Sequence, residues 1–128
     1  MTRRQIASLG GLASLALVLA CGEFQKEFKE FQKQADAKFG DQNFKWAIAF
    51  IELHRVRFGS YPDQLSDLRF TGEWDQSWIS AVKYTKLPDG YELDLVRGWV
   101  GTPGLSYPPE FWRGLGLRKS NVRHSGGA

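Results

Sequence analysis

Few residues in this 128-residue chain have the chemistry to act as catalysts or ligands. There are two histidines, His54 and His124, and a single cysteine, Cys21. Metal centres built on a helix place two ligands one turn apart, as in His-x-x-x-His, and no such spacing occurs. Asp63 and Asp67 stand four residues apart, and Glu73 and Asp75 two apart. Paired carboxylates are the machinery of glycoside hydrolysis. These pairs lie among turn-forming residues, where solvated acids are the ordinary case. The serines and threonines have no base partner within reach of the sequence pattern. The expectation is therefore no enzyme, no catalytic residue, no metal and no cofactor.

Cys21 is distinguished by what precedes it. Arg3 and Arg4 give a positive start, Ile6 to Ala20 is an apolar run of 15 residues, and small Ala20 comes just before the thiol. That order is the layout of a secretory signal peptide. The run is shorter than the ~20 apolar residues of a spanning helix. Val18-Leu19-Ala20-Cys21-Gly22 resembles the lipobox of bacterial lipoproteins. The resemblance implies that the Cys21 thiol receives a diacylglycerol, that residues 1–20 are removed, and that the new amine is acylated. The product would be a lipoprotein of the cell envelope, held to the membrane through Cys21. In Gram-negative lipoproteins an Asp after the cysteine favours retention at the inner membrane. Gly22 stands there instead, which points to the outer membrane, facing the periplasm.

Processing also changes the charge balance. Removing Arg3 and Arg4 from the 17 basic residues leaves 15 against 14 acidic, a net of +1 in place of +3. Nucleic-acid binders carry a strong positive excess or a basic stripe, so that class is excluded. With one cysteine no internal disulfide can form.

The elements that would position these groups begin with a helix. Phe24, Phe28, Phe31, Ala35 and Phe39 recur at helical spacing, with Glu23, Lys26, Glu27, Lys29, Glu30 and Lys33 on the other faces. Trp46, Ala49, Phe50, Leu53 and Val56 continue the same stripe. The pattern predicts one helix from about Glu23 to Arg57, bent at Gly40. Residues 21–43 would be the lipidated N-terminus and stalk, and 44–117 the folded domain. An exposed phenylalanine stripe suits self-packing, a lipid surface or a partner helix. Interfacial helices carry excess Lys or Arg on the polar face. This one is nearly balanced, which favours helix pairing or self-packing.

After Phe58-Gly59 comes a turn at Ser60-Tyr61-Pro62-Asp63 and a short segment Gln64 to Leu68. Ser80 to Lys86 and Tyr91 to Trp99 alternate as strands around Leu87-Pro88-Asp89-Gly90. Pairing Tyr84 with Leu93 and Val82 with Leu95 gathers one apolar face. A shift by one residue would pair Lys86 with Glu92 but scatter it. Burial outweighs an exposed ion pair of ~0–1 kcal/mol, so the first register is expected.

The run Ala47 to Arg55, then Phe58-Gly59-Ser60-Tyr61-Pro62-Asp63-Gln64-Leu65, then the hairpin Val82 to Leu95, resembles the soluble part of type IV pilins and type II secretion pseudopilins. The resemblance covers about Phe44 to Trp99 and implies an α+β fold, a long N-terminal helix packed on a small antiparallel sheet. Pilins have a short leader and an apolar anchoring helix with an essential Glu. Here a lipobox and a charged stalk stand instead, and no acidic cluster matches the calcium loop of some pseudopilins.

Gly101 to Pro109 reads as a surface loop. Phe111, Trp112, Leu115 and Leu117 would cover the sheet or, with Tyr107, form an aromatic contact patch. Residues 118–128 read as a disordered polar tail. The candidates for partner contact are Phe24, Phe28, Phe31, Phe39, Tyr107 and Trp112, and the expected role is protein contact or self-association in the envelope. The alternatives are an envelope carbohydrate- or lipid-binding module using the aromatics, and a small enzyme or inhibitor.

Overall fold

The computed structural model describes residues 3–69 and 77–126, with side chains from Gly22 onward. Its first element is one unbroken helix, α1 (Arg3–Phe58). The chain divides into two compact units, Met1–Gln32 and Lys33–Ala128. The second unit, the head, therefore begins before the expected boundary at Phe44. It takes in Asp36 and Gly40, both buried.

α1 ends at Phe58, where the sequence placed the stop. The Gly59 N–H donates to the Arg55 carbonyl at 2.8 Å, with Gly59 at φ 82°. A 3-10 turn (Leu65–Asp67) and a second 3-10 segment (Ser77–Ala81) lead to β1 (Val82–Leu87) and β2 (Gly90–Leu95). The two strands pair antiparallel with Tyr84 opposite Leu93 and Val82 opposite Leu95. That is the register expected from burial. Tyr91, Leu93 and Leu95 are buried on one face of β2.

The fold is α+β, a long helix packed with a small sheet. The sheet is mixed, in the order β1-β2-β4, because β4 (Leu117–Lys119) joins β2 parallel. A separate parallel pair joins β3 (Ser106–Tyr107) to β5 (Arg123–His124). Between them lies α2 (Pro109–Trp112), with Pro at its first position.

Three expectations are corrected here. β2 stops at Leu95, not Trp99, because the chain turns away. The N–H groups of Val96 and Arg97 donate to the Ala81 carbonyl at 2.7 and 3.3 Å. Residues 118–126 of the supposed tail are folded. The Asn121 carboxamide accepts from the Leu95 N–H and donates to the Leu95 carbonyl, both at 2.8 Å, so one side chain completes the end of β2 as a strand would. Val122 is buried beside it.

The third correction concerns which face of α1 is inside. Phe44, Ala47, Ile48 and Ile51 are buried, at helical spacing i, i+3, i+4 and i+7. Leu53 and Val56, placed on the core stripe by periodicity, are 45% and 75% exposed. Ala49 is exposed as well. The core strip and these residues lie on opposite sides of the helix at about 100° per residue. The reason lies in Gly40. A Cβ there would stand 2.6 Å from the Pro103 ring and 3.0 Å from Leu95. The face with the glycine lets the rest of the head approach closely, while of the apolar stripe Trp46 and Phe50 are half-buried against the edge of the core.

The assignment predicts a contrast. Ile51→Ala should destabilise the head by about 2–5 kcal/mol, through lost burial and a residual cavity. Val56→Ala should change stability by no more than about 0.5 kcal/mol. Urea unfolding of the two variants measures both, and comparable losses would place the core on the wrong face.

Candidate functional site

In the first unit, Phe24, Phe28 and Phe31 are 67%, 46% and 58% exposed. Phe24 and Phe28 stack on each other, ring centroids 6.3 Å apart. These three side chains form the most exposed aromatic run among the described residues. Cys21 lies in the helical part of the chain whose side chains are outside the description.

The head treats the other three contact candidates differently. Tyr107 is a core residue. Its hydroxyl donates to Asp41 at 2.6 Å, and its ring stacks on Phe111 (4.2 Å) and Phe44 (6.1 Å). Burial, and then the hydrogen bond to the Asp41 carboxylate, raises its pKa. Lys45 pairs with the same carboxylate at 3.0 Å. Trp112 is half-buried. Its indole N–H donates to the Tyr107 carbonyl at 3.0 Å, and the ring stacks on His124 at 4.2 Å. The aromatic cluster therefore closes the C-terminal segment over α1, so Tyr107 and Trp112 are not an open contact patch. Phe39 remains 43% exposed and lines a groove with Trp99.

Two carboxylates missed by sequence reasoning hold the head together. Asp36 sits among the lysines and glutamates of α1, a setting that reads as a solvated face. It is buried, and one of its oxygens accepts the backbone N–H groups of Trp99 (3.0 Å), Val100 (2.7 Å) and Gly101 (2.9 Å). These bonds, Val100's foremost, pull its pKa below the ordinary value of 3.8 against the opposing effect of burial. Gly98 makes the approach possible, since a Cβ there would lie 2.0 Å from the Asp36 carbonyl oxygen. A signal did exist, in the glycines flanking Trp99-Val100, but it named no partner.

Glu52 does the same at the far end of the strip. It accepts the Tyr61 hydroxyl at 3.1 and 2.9 Å and the Gly116 N–H at 2.7 Å. Burial, then Glu52, pushes the Tyr61 pKa up. The Tyr84 hydroxyl donates to the Pro62 carbonyl, and burial pushes its pKa up to about 12.

The residues considered for chemistry have local tasks. His54 Nδ1 lies 2.8 Å from the Ser60 carbonyl. A carbonyl only accepts, so that nitrogen carries the proton. Asp67 accepts the Gln64 N–H at 3.2 Å and closes the 3-10 turn. Asp63 pairs with Lys86 at 2.9 Å. These residues and Arg69 line an open polar groove of about 440 Å³. Glu73 and Asp75 lie outside the described residues. No group of three or more His, Cys, Asp or Glu that could hold a metal ion occurs among the described residues.

No protein-family model, no curated protein and no solved structure matches this chain.

The Asp36 bonds carry a pH signature. A carboxylate with a depressed folded pKa stabilises the fold above its unfolded value, and that contribution is lost as pH falls through the folded pKa. Asp36→Ala should lower the melting temperature near neutral pH, and Asp36→Asn should lower it less, because the amide oxygen still accepts. The gap between wild type and Asp36→Ala should narrow as pH falls below 3.8. Thermal melts from neutral to acid pH test this, and a gap independent of pH would remove the charge from the account.

Proposed function

We propose that this chain is an exported lipoprotein, fixed to the membrane through acylated Cys21, which acts by protein contact through the phenylalanine face beyond the anchor. The observation that carries the contact reading is the exposure of Phe24, Phe28 and Phe31 on one helix. The lipobox-like Val18 to Cys21, after a charged start and an apolar run, supports the anchor. Among the described residues no helix is long and apolar enough to cross a membrane.

The charge pattern around the phenylalanines favours a protein partner or a second copy over the lipid surface. Glu23, Glu27 and Glu30 alternate with Lys26, Lys29 and Lys33. Anionic lipid would gain little from such a helix, whereas membrane-surface helices are basic on the polar side. The head resembles the soluble part of pilins and pseudopilins through Gly59-Ser60-Tyr61-Pro62 and Leu65. A helix followed by a hairpin in the burial-set register supports that comparison, and the parallel strand β4 is a departure from an all-antiparallel sheet. On this reading the head is a pilin-like domain displayed from the outer membrane towards the periplasm, and the phenylalanine face before it makes the contact.

Two measurements test the proposal. A fatty-acid probe fed to producing cells should label the wild type and leave Cys21→Ser unlabelled, whereas equal labelling would end the lipid assignment. A photo-crosslinker at position 28 or 31 should give one dominant adduct, of this chain or of another envelope protein. Monomer alone, in the presence of the full envelope, would defeat the contact reading.

A further inference from the structure

The head holds a second feature, independent of the stalk. Phe39 and Asn43 of α1, Ser77 and Ala81 of the 3-10 segment before β1, and Arg97 and Trp99 beyond β2 line a groove of about 250 Å³. Its walls are unlike those of the His54 groove. Among the described residues they carry two large aromatic side chains, each 43% exposed, and no carboxylate or lysine.

The polar groups in it are of a kind suited to hydroxyls. The Asn43 amide nitrogen makes one long bond, 3.4 Å, to the Gly98 carbonyl. Its Oδ1 accepts nothing among the described residues, so one acceptor and one N–H remain to be used. Arg97 is held by Ser80. Its two terminal nitrogens donate to the Ser80 carbonyl at 3.2 Å and hydroxyl at 2.7 Å. Among the described residues it is the one charge lining the groove, and with two of its five N–H groups on Ser80 it still offers N–H groups to a ligand hydroxyl.

The walls are also held in place before any ligand arrives. The three N–H bonds to Asp36 begin at Trp99 itself, and the Gly98 N–H donates to the Gly101 carbonyl at 2.8 Å. A site whose backbone is already fixed loses less freedom on binding. The volume is below the ~300–1,000 Å³ of sites for drug-sized ligands.

A ligand matched to these walls is small, uncharged and two-sided, with an apolar face for the rings and hydroxyls at its edge. A pyranose has that form, since its axial C–H groups make one face apolar while its hydroxyls project from the rim. We propose that this groove binds a neutral glycan, one sugar ring lying against Trp99 and Phe39 with its hydroxyls on Asn43 and Arg97.

The test uses the full-length protein, ¹⁵N-labelled, in a detergent that is not itself a glycoside. Chitotetraose, cellotetraose and maltotetraose are titrated separately, and amide shifts are followed by NMR. At least one should move the signals of Asn43 and residues 97–99 with a Kd of about 0.1–10 mM. Trp99→Ala and Asn43→Ala should each weaken that binding by about 10-fold. Trp99→Phe, which keeps an aromatic face, should weaken it by less, and Trp112→Phe should leave it unchanged. Dispersed amide spectra show which variants are folded, and Asn43→Ala decides the matter should Trp99→Ala unfold. No shift in these residues from any of the three sugars at about 20 mM, or undiminished binding in the folded variants, would overturn the proposal.

Discussion

The head is organised by one strip of α1 that is only partly apolar. Its middle, Phe44, Ala47, Ile48 and Ile51, supplies buried hydrocarbon. Its two ends supply carboxylates: Asp36 receives three backbone N–H groups and Glu52 one, in each case from a segment far along the chain. Burial of apolar area is non-directional and tolerates sliding of a sheet along a helix. A carboxylate bonded to three successive N–H groups does not, because each bond depends on distance and angle. The apolar middle thus gives adhesion and the carboxylates give register. Gly40 and Gly98 belong to the same device, since they remove the side chains that would keep the loops away.

This explains how much of the fold was legible. The hairpin register could be read because two local alternatives competed, and burying Leu93 and Leu95 stabilises more than one exposed ion pair does. The end of α1 could be read because Gly59 is a local signal. The buried face of the helix could not, because periodicity reports where apolar residues align and not which alignment meets the sheet. Here Leu53 and Val56 of the longer stripe stayed outside, while its Trp46 and Phe50 are half-buried against the core. The buried face is the one that carries Gly40 and whose Asp36 and Glu52 find partners 63 to 65 and 64 residues away. Nothing near either residue in sequence announces them.

The C-terminal segment was misread for a related reason. Composition marks it as polar, and polar segments are ordinarily loose. Yet a strand end needs hydrogen-bond partners more than it needs apolar cover, and Asn121 provides both a donor and an acceptor to Leu95. A single Val122 then suffices to seal the site. The same logic moves Tyr107 and Trp112 from contact candidates to internal braces. Buried aromatic side chains with a polar atom generally find a partner for it, and Asp41 and the Tyr107 carbonyl are those partners.

Removing Tyr107 and Trp112 from the surface leaves distinct aromatic exposures with different surroundings. In the first unit Phe24, Phe28 and Phe31 stand among alternating charges, a setting suited to another helix, whose ion pairs would each add only ~0.2–0.5 kcal/mol while the rings supply the adhesion. In the head, Phe39 and Trp99 stand beside a carboxamide and an engaged guanidinium, a setting suited to hydroxyls. Surface aromatics scattered singly need no explanation. What gives these two places meaning is the chemistry of their neighbours. That chemistry keeps the two proposals separate, the one of a contact along a helix and the other of a small polar ring in a fixed groove, so that a mutation can test either without the other.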